Sequence, residues 1–353
     1  MGRLLDKIIF LISIPFWIGL LGAYTARYIN PNLFIIPSLL GLAYPYLLVA
    51  NILLLLYWIA RLKKMVIVSL IVLCSGIPFF TSYYGTNSSD TEEHSYDISV
   101  LSYNVRFFDK YKWSQDKRTY NKLIDYLNQF KGDLICLQEF PITNQDANTQ
   151  HIIKQLSTYP FHCHYRDMAI FSRLPILHSG QIPADNTKNC VPALFCNIQK
   201  GKDTLRIYNV HLESYKLGQE ERKFVKNITS SNTEKLSDGI KNILSHIIKA
   251  NKFRAKQAIL IQKHIQQSPY KIILCGDFND TPLSYIYKTI NTGLTDSFLQ
   301  KGKGLGNTYI GEFPSFRIDY ILHSSDFITL SYTRQSVNLS DHYPISCKLK
   351  IRP

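Results

Sequence analysis

Residues Ile272 to Pro282 read IILCGDFNDTP. The run Ile272-Ile273-Leu274-Cys275 is continuously apolar, the signature of a strand buried on both faces. Gly276 breaks the run. Asp277, Asn279 and Asp280 follow at once, and Thr281-Pro282 opens a turn. A buried strand that ends this way delivers carboxylates and an amide to the rim of a sheet, where sheet enzymes keep their chemistry. An ordinary Asx-rich turn would look the same in isolation. What separates the two is that four other stretches of the chain end similarly.

Working outward, Ile98 to Val105 alternates and brings Asn104 to the end of a first strand. Leu134 to Leu137 is a second buried strand and ends in Gln138-Glu139, where a buried glutamate needs something cationic beside it. Leu205 to Val210, paired with Leu194 to Ile198, runs into Asn209-Val210-His211. Phe316 to Leu322 carries Asp319, and Ser331 to Val337 leads into Ser340-Asp341-His342-Tyr343-Pro344 before a last strand, Ser346 to Ile351. Met168 to Ser172 is one more short strand, and Thr119 to Phe130 has apolar residues at helical spacing. Glu220 to Ile265 reads as two helices broken by Asn227 to Thr233 and by Gly239. Leu244, Ile247 and Ile248, then Ala258, Ile261 and Ile265, should face the core. The basic residues Lys249, Lys252, Arg254 and Lys256 on this segment suit either a solvated face or contact with phosphate or lipid headgroups. The glycines of Lys301 to Asn307 do not precede a helix, so they are no nucleotide cradle.

The first part of the chain is of another kind. Residues 1–84 are expected to be a membrane region with three transmembrane helices, at about 8–26, 33–59 and 65–83, each an uncharged apolar run. Pro15, Pro37, Pro45 and Pro78 are tolerated in such helices. Tyr24, Tyr28, Tyr57, Trp58, Tyr83 and Tyr84 stand near the ends, as an aromatic belt would. A signal peptide accounts for the first run only. Arg61, Lys63 and Lys64 place the loop between the second and third runs in the cytoplasm, together with an N-terminus carrying Arg3 and Lys7. Residues 85–97 read as a polar linker, with a glycosylation-like Asn87-Ser88-Ser89 of little weight. The domain at 98–353 then lies outside, in the periplasm of a bacterial inner membrane.

Net charge is +14, which suits an anionic partner but also the lysine-rich loops of a membrane protein. The 7 cysteines form no CxxC pair, and Cys136 and Cys275 sit in apolar runs as small hydrophobes. One bridge involving Cys163, Cys190 or Cys196 stays open.

If the strands are neighbours, Asn104, Glu139, His211, Asp277, Asn279, Asp319, Asp341 and His342 converge on one patch. Hard oxygen donors suit Mg²⁺ or Mn²⁺ rather than zinc. Histidines beside aspartates suit proton transfer and stabilisation of an anionic transition state. Together these are the parts for attack of water on phosphorus.

The ordered set Asn104, Gln138-Glu139, Asn209-Val210-His211, Gly276-Asp277-Phe278-Asn279, Arg317-Ile318-Asp319-Tyr320 and Ser340-Asp341-His342-Tyr343-Pro344 resembles the endonuclease/exonuclease/phosphatase superfamily. The resemblance covers about Asp97 to the C-terminus. It implies an α/β (α+β) fold, a four-layer α/β/β/α sandwich of two mixed sheets flanked by helices, with the site at one edge. It implies a metal, Mg²⁺ or Mn²⁺, on Glu139 with Asn104 and Asp341. Asp277 would orient or deprotonate the water, and Asn279 would hold the phosphate or that water. His342, oriented by Asp319, and His211 would bind the scissile phosphate. Either Asp277 or the Asp319–His342 pair is then the base. Where family members often carry a glycine just before the AIFS-type strand, Asp167-Met168 stands here.

The chain is thus expected to be a membrane-anchored, metal-dependent phosphodiesterase, nuclease or phosphatase. Its partners would be the lipid bilayer, through the N-terminal helices, and a phosphoester, either nucleic acid or a phospholipid or inositol phosphate. No protein partner is inferred. The alternative is a non-catalytic membrane receptor or binding module on the same fold. The apolar runs contain no internal charge, which argues against a transport path.

Overall fold

The computed structural model describes residues 2–87, 95–110, 112, 114, 116–141, 147–183, 191–218, 221, 233–311 and 316–353. The N-terminal part contains helices α1 (Gly2–Thr25), α2 (Ile36–Leu42), α3 (Tyr44–Ala60), α4 (Met65–Cys74) and α5 (Ile77–Phe80). Strands β1 (Gly85–Thr86) and β2 (Ile98–Asn104), helix α6 (Thr119–Gln129), strand β3 (Leu134–Gln138) and helix α7 (Ala147–Gln155) follow. Next come β4 (Phe161–Tyr165), β5 (Met168–Ser172), β6 (Ile176–Ile182), β7 (Ala193–Lys200), β8 (Asp203–His211) and the long helix α8 (Thr233–Gln266). The chain ends with β9 (Lys271–Asp277), α9 (Tyr285–Ile290), β10 (Thr295–Asp296), α10 (Ser297–Lys301), β11 (Lys303–Gly304), β12 (Asp319–His323), β13 (Phe327–Arg334) and β14 (Ile345–Ile351).

Two six-stranded mixed sheets form, in the orders β13-β14-β2-β3-β5-β4 and β10-β12-β9-β8-β7-β6. Strands β2, β3 and β5 are buried along their whole length because both faces are covered. Alternate residues of each sheet point to different cores. Ile98, Val100, Leu134, Cys136 and Ile170 meet Cys196, Ile207, Ile273, Cys275 and Ile321 between the sheets. On the outer face of the first sheet, Leu101, Ile135 and Phe171 pack on Leu123, Ile124 and Leu127 of α6. On the outer face of the second, Tyr208, Val210, Leu274 and Tyr320 pack on Ala255, Ala258 and Ile261 of α8 and on Ile286 of α9. The result is helix, sheet, sheet, helix.

Each sheet has a parallel pair at its centre. In one, Asn104 of β2 stands opposite Gln138 of β3. In the other, His211 of β8 stands opposite Asp277 of β9, and Asp319 of the antiparallel β12 is in register with Asp277 as well. Gly276 makes the second pairing possible. Its φ is +143°, and a Cβ there would lie 1.9 Å from the Val210 carbonyl oxygen.

The N-terminal part departs from the expected three spanning helices. Among the described residues, one helix, Arg3–Thr25, is long and apolar enough to cross a membrane. The second run is a bent pair, α2 and α3, with 72° between their axes. Pro37 and Pro45 stand in the first turn of each helix, where proline starts a helix rather than continuing one. The third run stops at Cys74 and restarts as α5 after Ser75-Gly76, leaving α4 at 10 residues. Gly76 packs against the Tyr24 ring so closely that a Cβ would lie 2.1 Å from its hydroxyl.

Other differences are local. Gly85-Thr86 pairs with Lys303-Gly304, so the expected linker and the glycine-rich loop each contribute a short strand. Residues 88–94, with Ser88 and Ser89, lie outside the described residues, as do Cys190 and most of Asn227 to Thr233. Gly239 does not divide the helical segment; α8 runs 34 residues through it, since one glycine inside a helix costs only about 1 kcal/mol. Ala258, Ile261 and Ile265 face the core, whereas Leu244 is 39% exposed. The strand expected at Phe316 to Leu322 begins at Asp319, and a further strand lies at Phe327–Arg334. Cys136, Cys163, Cys196, Cys275 and Cys347 are free thiols.

Candidate active site

The ends of the central strands meet where the two sheets touch. Asn104, fully buried at the end of β2, donates from Nδ2 to Asp277 Oδ2 at 3.1 Å and to Glu139 Oε1 at 3.3 Å. Behind this contact, Gln138 Nε2 donates to Asn209 Oδ1 at 2.7 Å. Asn209 Nδ2 donates in turn to the carbonyls of Leu137 and Ala169. Asn104, Gln138 and Asn209 each bond across to the opposite sheet, so the sheets are keyed together beneath the site.

Asp277 is 1% exposed. Its Oδ1 accepts from the Asn279 backbone N–H at 2.7 Å and its Oδ2 from Asn279 Nδ2 at 3.3 Å. Asn279 also donates to the Leu212 carbonyl at 3.0 Å. Burial, followed by the carboxylate of Asp319, raises the Asp277 pKa to about 6 against the opposing pull of His342 and His211. His342 bonds through Nδ1 to Asp319 Oδ2 at 2.9 Å, and its Nε2 stands 3.7 Å from Asp277 Oδ2. Burial disfavours the imidazolium, but Asp319 and then Asp277 outweigh it and raise the His342 pKa to about 10. Asp277, Asp319 and His342 form a buried cluster with ligand atoms within 4.8 Å of one another. A protonated His342 has no lone pair for a metal, and both its nitrogens already face carboxylates.

His211 behaves in the same way on the other side of Asp277. Its Nδ1 lies 2.7 Å from Asp167 Oδ2. Burial works against the charge, yet Asp167, Asp277 and Glu139 bring its pKa up to about 9. Its Nε2 is buried with no hydrogen-bond partner among the described residues.

Glu139 and Asp341 line the cleft that opens over this cluster. Glu139 and Asn279 hold left-handed backbone, φ +50° and +52°, the strained geometry that concentrates at functional sites. So does the turn Arg106–Asp109, which follows Asn104-Val105 and is fastened by the Phe107 N–H to the Glu139 carbonyl at 2.7 Å. It brings Arg106 to within 3.2 Å of Asp341 Oδ2. Glu139, Asp341 and Asn104 are oxygen-bearing side chains of the hard type that Mg²⁺ and Mn²⁺ take. The donor chemistry therefore fits a hard divalent cation on these residues, apart from the Asp277–Asp319–His342 cluster.

All eight residues singled out in the sequence thus lie around one cleft or directly beneath it. Two that act on them were missed. Asp167 sits in the tight turn between β4 and β5, 44 positions before its partner His211. The one sign of it was Asp167-Met168 where a glycine is usual before the AIFS-type strand. Arg106 reaches Asp341 only through a left-handed turn.

Residues 101–342 match the family model of the Endonuclease/Exonuclease/phosphatase family, and residues 6–83 match a Domain of unknown function (DUF8431). No curated protein matches. Among solved structures, an endonuclease/exonuclease/phosphatase family protein from Bacteroides thetaiotaomicron is 18% identical with a TM-score of 0.52, over 72% of this chain and 98% of that one. The D. rerio TDP2 bound to a single-strand DNA product is 18% identical with a TM-score of 0.50, over 72% and 98%. A mannosyl-6-phosphatase from Bacteroides thetaiotaomicron is 17% identical with a TM-score of 0.50, over 71% and 99%. These likenesses show the fold.

Proposed function

The chain belongs to the endonuclease/exonuclease/phosphatase family, and from that membership we propose that it is a divalent-metal-dependent phosphoester hydrolase held at a membrane by its N-terminal helices. The observation that carries this reading is the surroundings of Asp277. One carboxylate stands in register with His211 and Asp319, bonds to Asn104, and faces His342 at 3.7 Å. With its pKa raised to about 6, Asp277 is ionised near neutrality and still basic enough to take a proton from water.

Of the two candidate bases, Asp277 is favoured, because His342 already carries its proton at neutral pH. His342 and His211 are then two cations on either side of the attacked phosphorus. Asp319 and Asp167 keep them charged and aimed. Asn279 holds the water against Asp277 and stays fixed itself through the Leu212 carbonyl. The water oxygen bonds to phosphorus, the P–O ester bond breaks, and the proton taken by Asp277 returns to the leaving oxygen through solvent. Mg²⁺ or Mn²⁺, held by Glu139, Asn104 and Asp341, would polarise a phosphoryl oxygen and neutralise charge there.

Membrane attachment rests on exposure. Only 28% of the most apolar window of α1 is buried against the rest of the protein. A core helix of a soluble protein would hide most of that surface. Buried bonds from Trp17 Nε1 to Ser69 Oγ and from Trp58 Nε1 to Ser13 Oγ, both 3.2 Å, tie α1 to its neighbours, which favours an anchor over a removed signal. Asp6, Arg61 and Lys63 gather at one end, and Arg27 with Ser82 at the other, beside the sheets. The basic end is assigned to the cytoplasm and the sheets to the outside. Protease added to intact spheroplasts should remove the C-terminal domain; full protection would reverse the orientation.

The catalytic reading is tested with the full chain in detergent, using bis(p-nitrophenyl) phosphate with Mg²⁺, Mn²⁺ or EDTA. Metal-dependent turnover, lost in Asp277→Ala and His342→Ala, is expected. A folded protein that binds Mg²⁺ but turns over neither this probe nor DNA nor phospholipid would point to the binding-module alternative.

A further inference from the structure

The cleft above Asp277 has one wall that neither sheet supplies. It is a cavity of about 440 Å³, and Leu39, Leu42, Ala43 and Tyr46, around the bend between α2 and α3, line it together with Leu244 and Ile247 of α8. Glu139, Asp277, Asp341 and His342 line the same cavity. The lining therefore joins the ionic groups of the site to aliphatic side chains of the helices, with Tyr46, Tyr215, Lys216 and Tyr309 among them.

The wall is fastened in place. Asn251 of α8 donates from Nδ2 to Ser38 Oγ at 2.7 Å, and both residues are buried. Asn32 Nδ2 donates to the Lys252 carbonyl at 2.9 Å. The 72° bend turns α2 away from the line of α3, and α2 is bonded to the helix that bounds the cleft. The segment entering α2 carries Leu33, Phe34 and Ile36, which are 85%, 54% and 46% exposed. Such a strip is costly in water and unremarkable in lipid. Leu39, Leu42, Leu244 and Ile247 offer no donor or acceptor to a base edge. A nucleic-acid strand would gain little from them, whereas an acyl chain would be shielded from water along their length.

We propose that the cleft takes a phospholipid of the membrane in which the chain sits. Its phosphate lies at the Asp277–His342 end and an acyl chain lies between the α2–α3 bend and α8. The membrane region is then part of the substrate site as well as an anchor. Turnover of that lipid rests on the hydrolase reading above, with water adding to phosphorus, one P–O ester bond breaking and the proton returning to the leaving alkoxide. Binding of the lipid does not depend on it.

The test uses the full chain reconstituted in phosphatidylethanolamine–phosphatidylglycerol vesicles containing phosphatidylglycerol with a diazirine on one acyl chain. Illumination and peptide mapping should place cross-links on residues 39–46 and 244–247. Cross-links confined to the outward faces of α1 and α3 would overturn the proposal, whatever the activity. In parallel, Leu42→Asp and Leu244→Asp are compared with wild type on vesicle lipid and on bis(p-nitrophenyl) phosphate. Leu244 is exposed, so its variant should fold even if Leu42→Asp does not. The ratio of lipid to soluble turnover should fall about tenfold or more. An unchanged ratio, or turnover of the soluble probe with none of vesicle lipid, would refute the proposal. Cleft cross-links without turnover of either compound would instead uphold it and remove the hydrolase reading.

Discussion

Replacing Asp167 by Asn preserves the shape of the side chain and removes its charge. Asp167 Oδ2 lies 2.7 Å from His211 Nδ1. Burial opposes a charged His211, but Asp167 leads the groups that raise its pKa from 6.5 to about 9. The same contact holds the Asp167 carboxyl below the usual range, although its own burial pushes the other way. One pKa unit corresponds to about 1.4 kcal/mol. The Asp167 side chain is 34% exposed, so solvent screens the pair, and its share is about 1–2 kcal/mol. Asp167→Asn should therefore lower the His211 pKa by about one unit. Because His211 acts charged, the alkaline limb of kcat/KM should move down by the same amount, while the rate near pH 7 falls less than about tenfold. The stability that the raised pKa confers is fully present below about pH 6.5 and is lost as pH rises through about 9. In the variant that loss should be smaller and complete at lower pH. Rates and melting temperatures between about pH 6 and 10 test both statements. An unshifted alkaline limb at wild-type rate would refute a charged His211 at the phosphate.

Gly276→Ala should destabilise by about 3 kcal/mol or more, read from denaturant unfolding, because a Cβ has no room beside the Val210 carbonyl. Arg317, fully buried, bonds to Asp296 at 2.7 Å and to the Ser82 carbonyl at 2.8 Å. Arg317→Leu leaves Asp296 buried without its cation and should cost about 3–5 kcal/mol, with faster proteolysis between the helices and the sheets. EDTA should abolish turnover and lower the melting temperature, and added Mg²⁺ should restore both. Glu139→Gln should weaken Mg²⁺ about tenfold or more by calorimetric titration.

The strand ends were legible because both sheets are covered on both faces. In strands that read as nearly unbroken apolar runs, a carboxylate or histidine at the last position stands out. Asn104, Glu139, His211 and Asp277 each sit at or just past such an end. Asp167 was hidden because its turn joins two other strands and its partner is distant in sequence. The helices were misjudged for a different reason. Hydropathy counts apolar residues and is blind to the direction of the axis. It did not register the break between α2 and α3, or the stop at Ser75-Gly76. Likewise Leu244 and Ile247 have the spacing of core residues, and periodicity cannot distinguish a core from an apolar cleft. The polar strip before α8 falls outside the described residues.

Because Gln138 reaches across to Asn209, and Asn104 to Asp277, the site belongs to neither sheet. A chain with one sheet formed and the other still open would own half of each pairing and none of the chemistry. Loss of turnover in denaturant should therefore follow the same curve as loss of the inter-sheet core, and the reaction becomes a gauge of cooperativity. Any intermediate on the folding route with only one sheet formed would be silent as a catalyst.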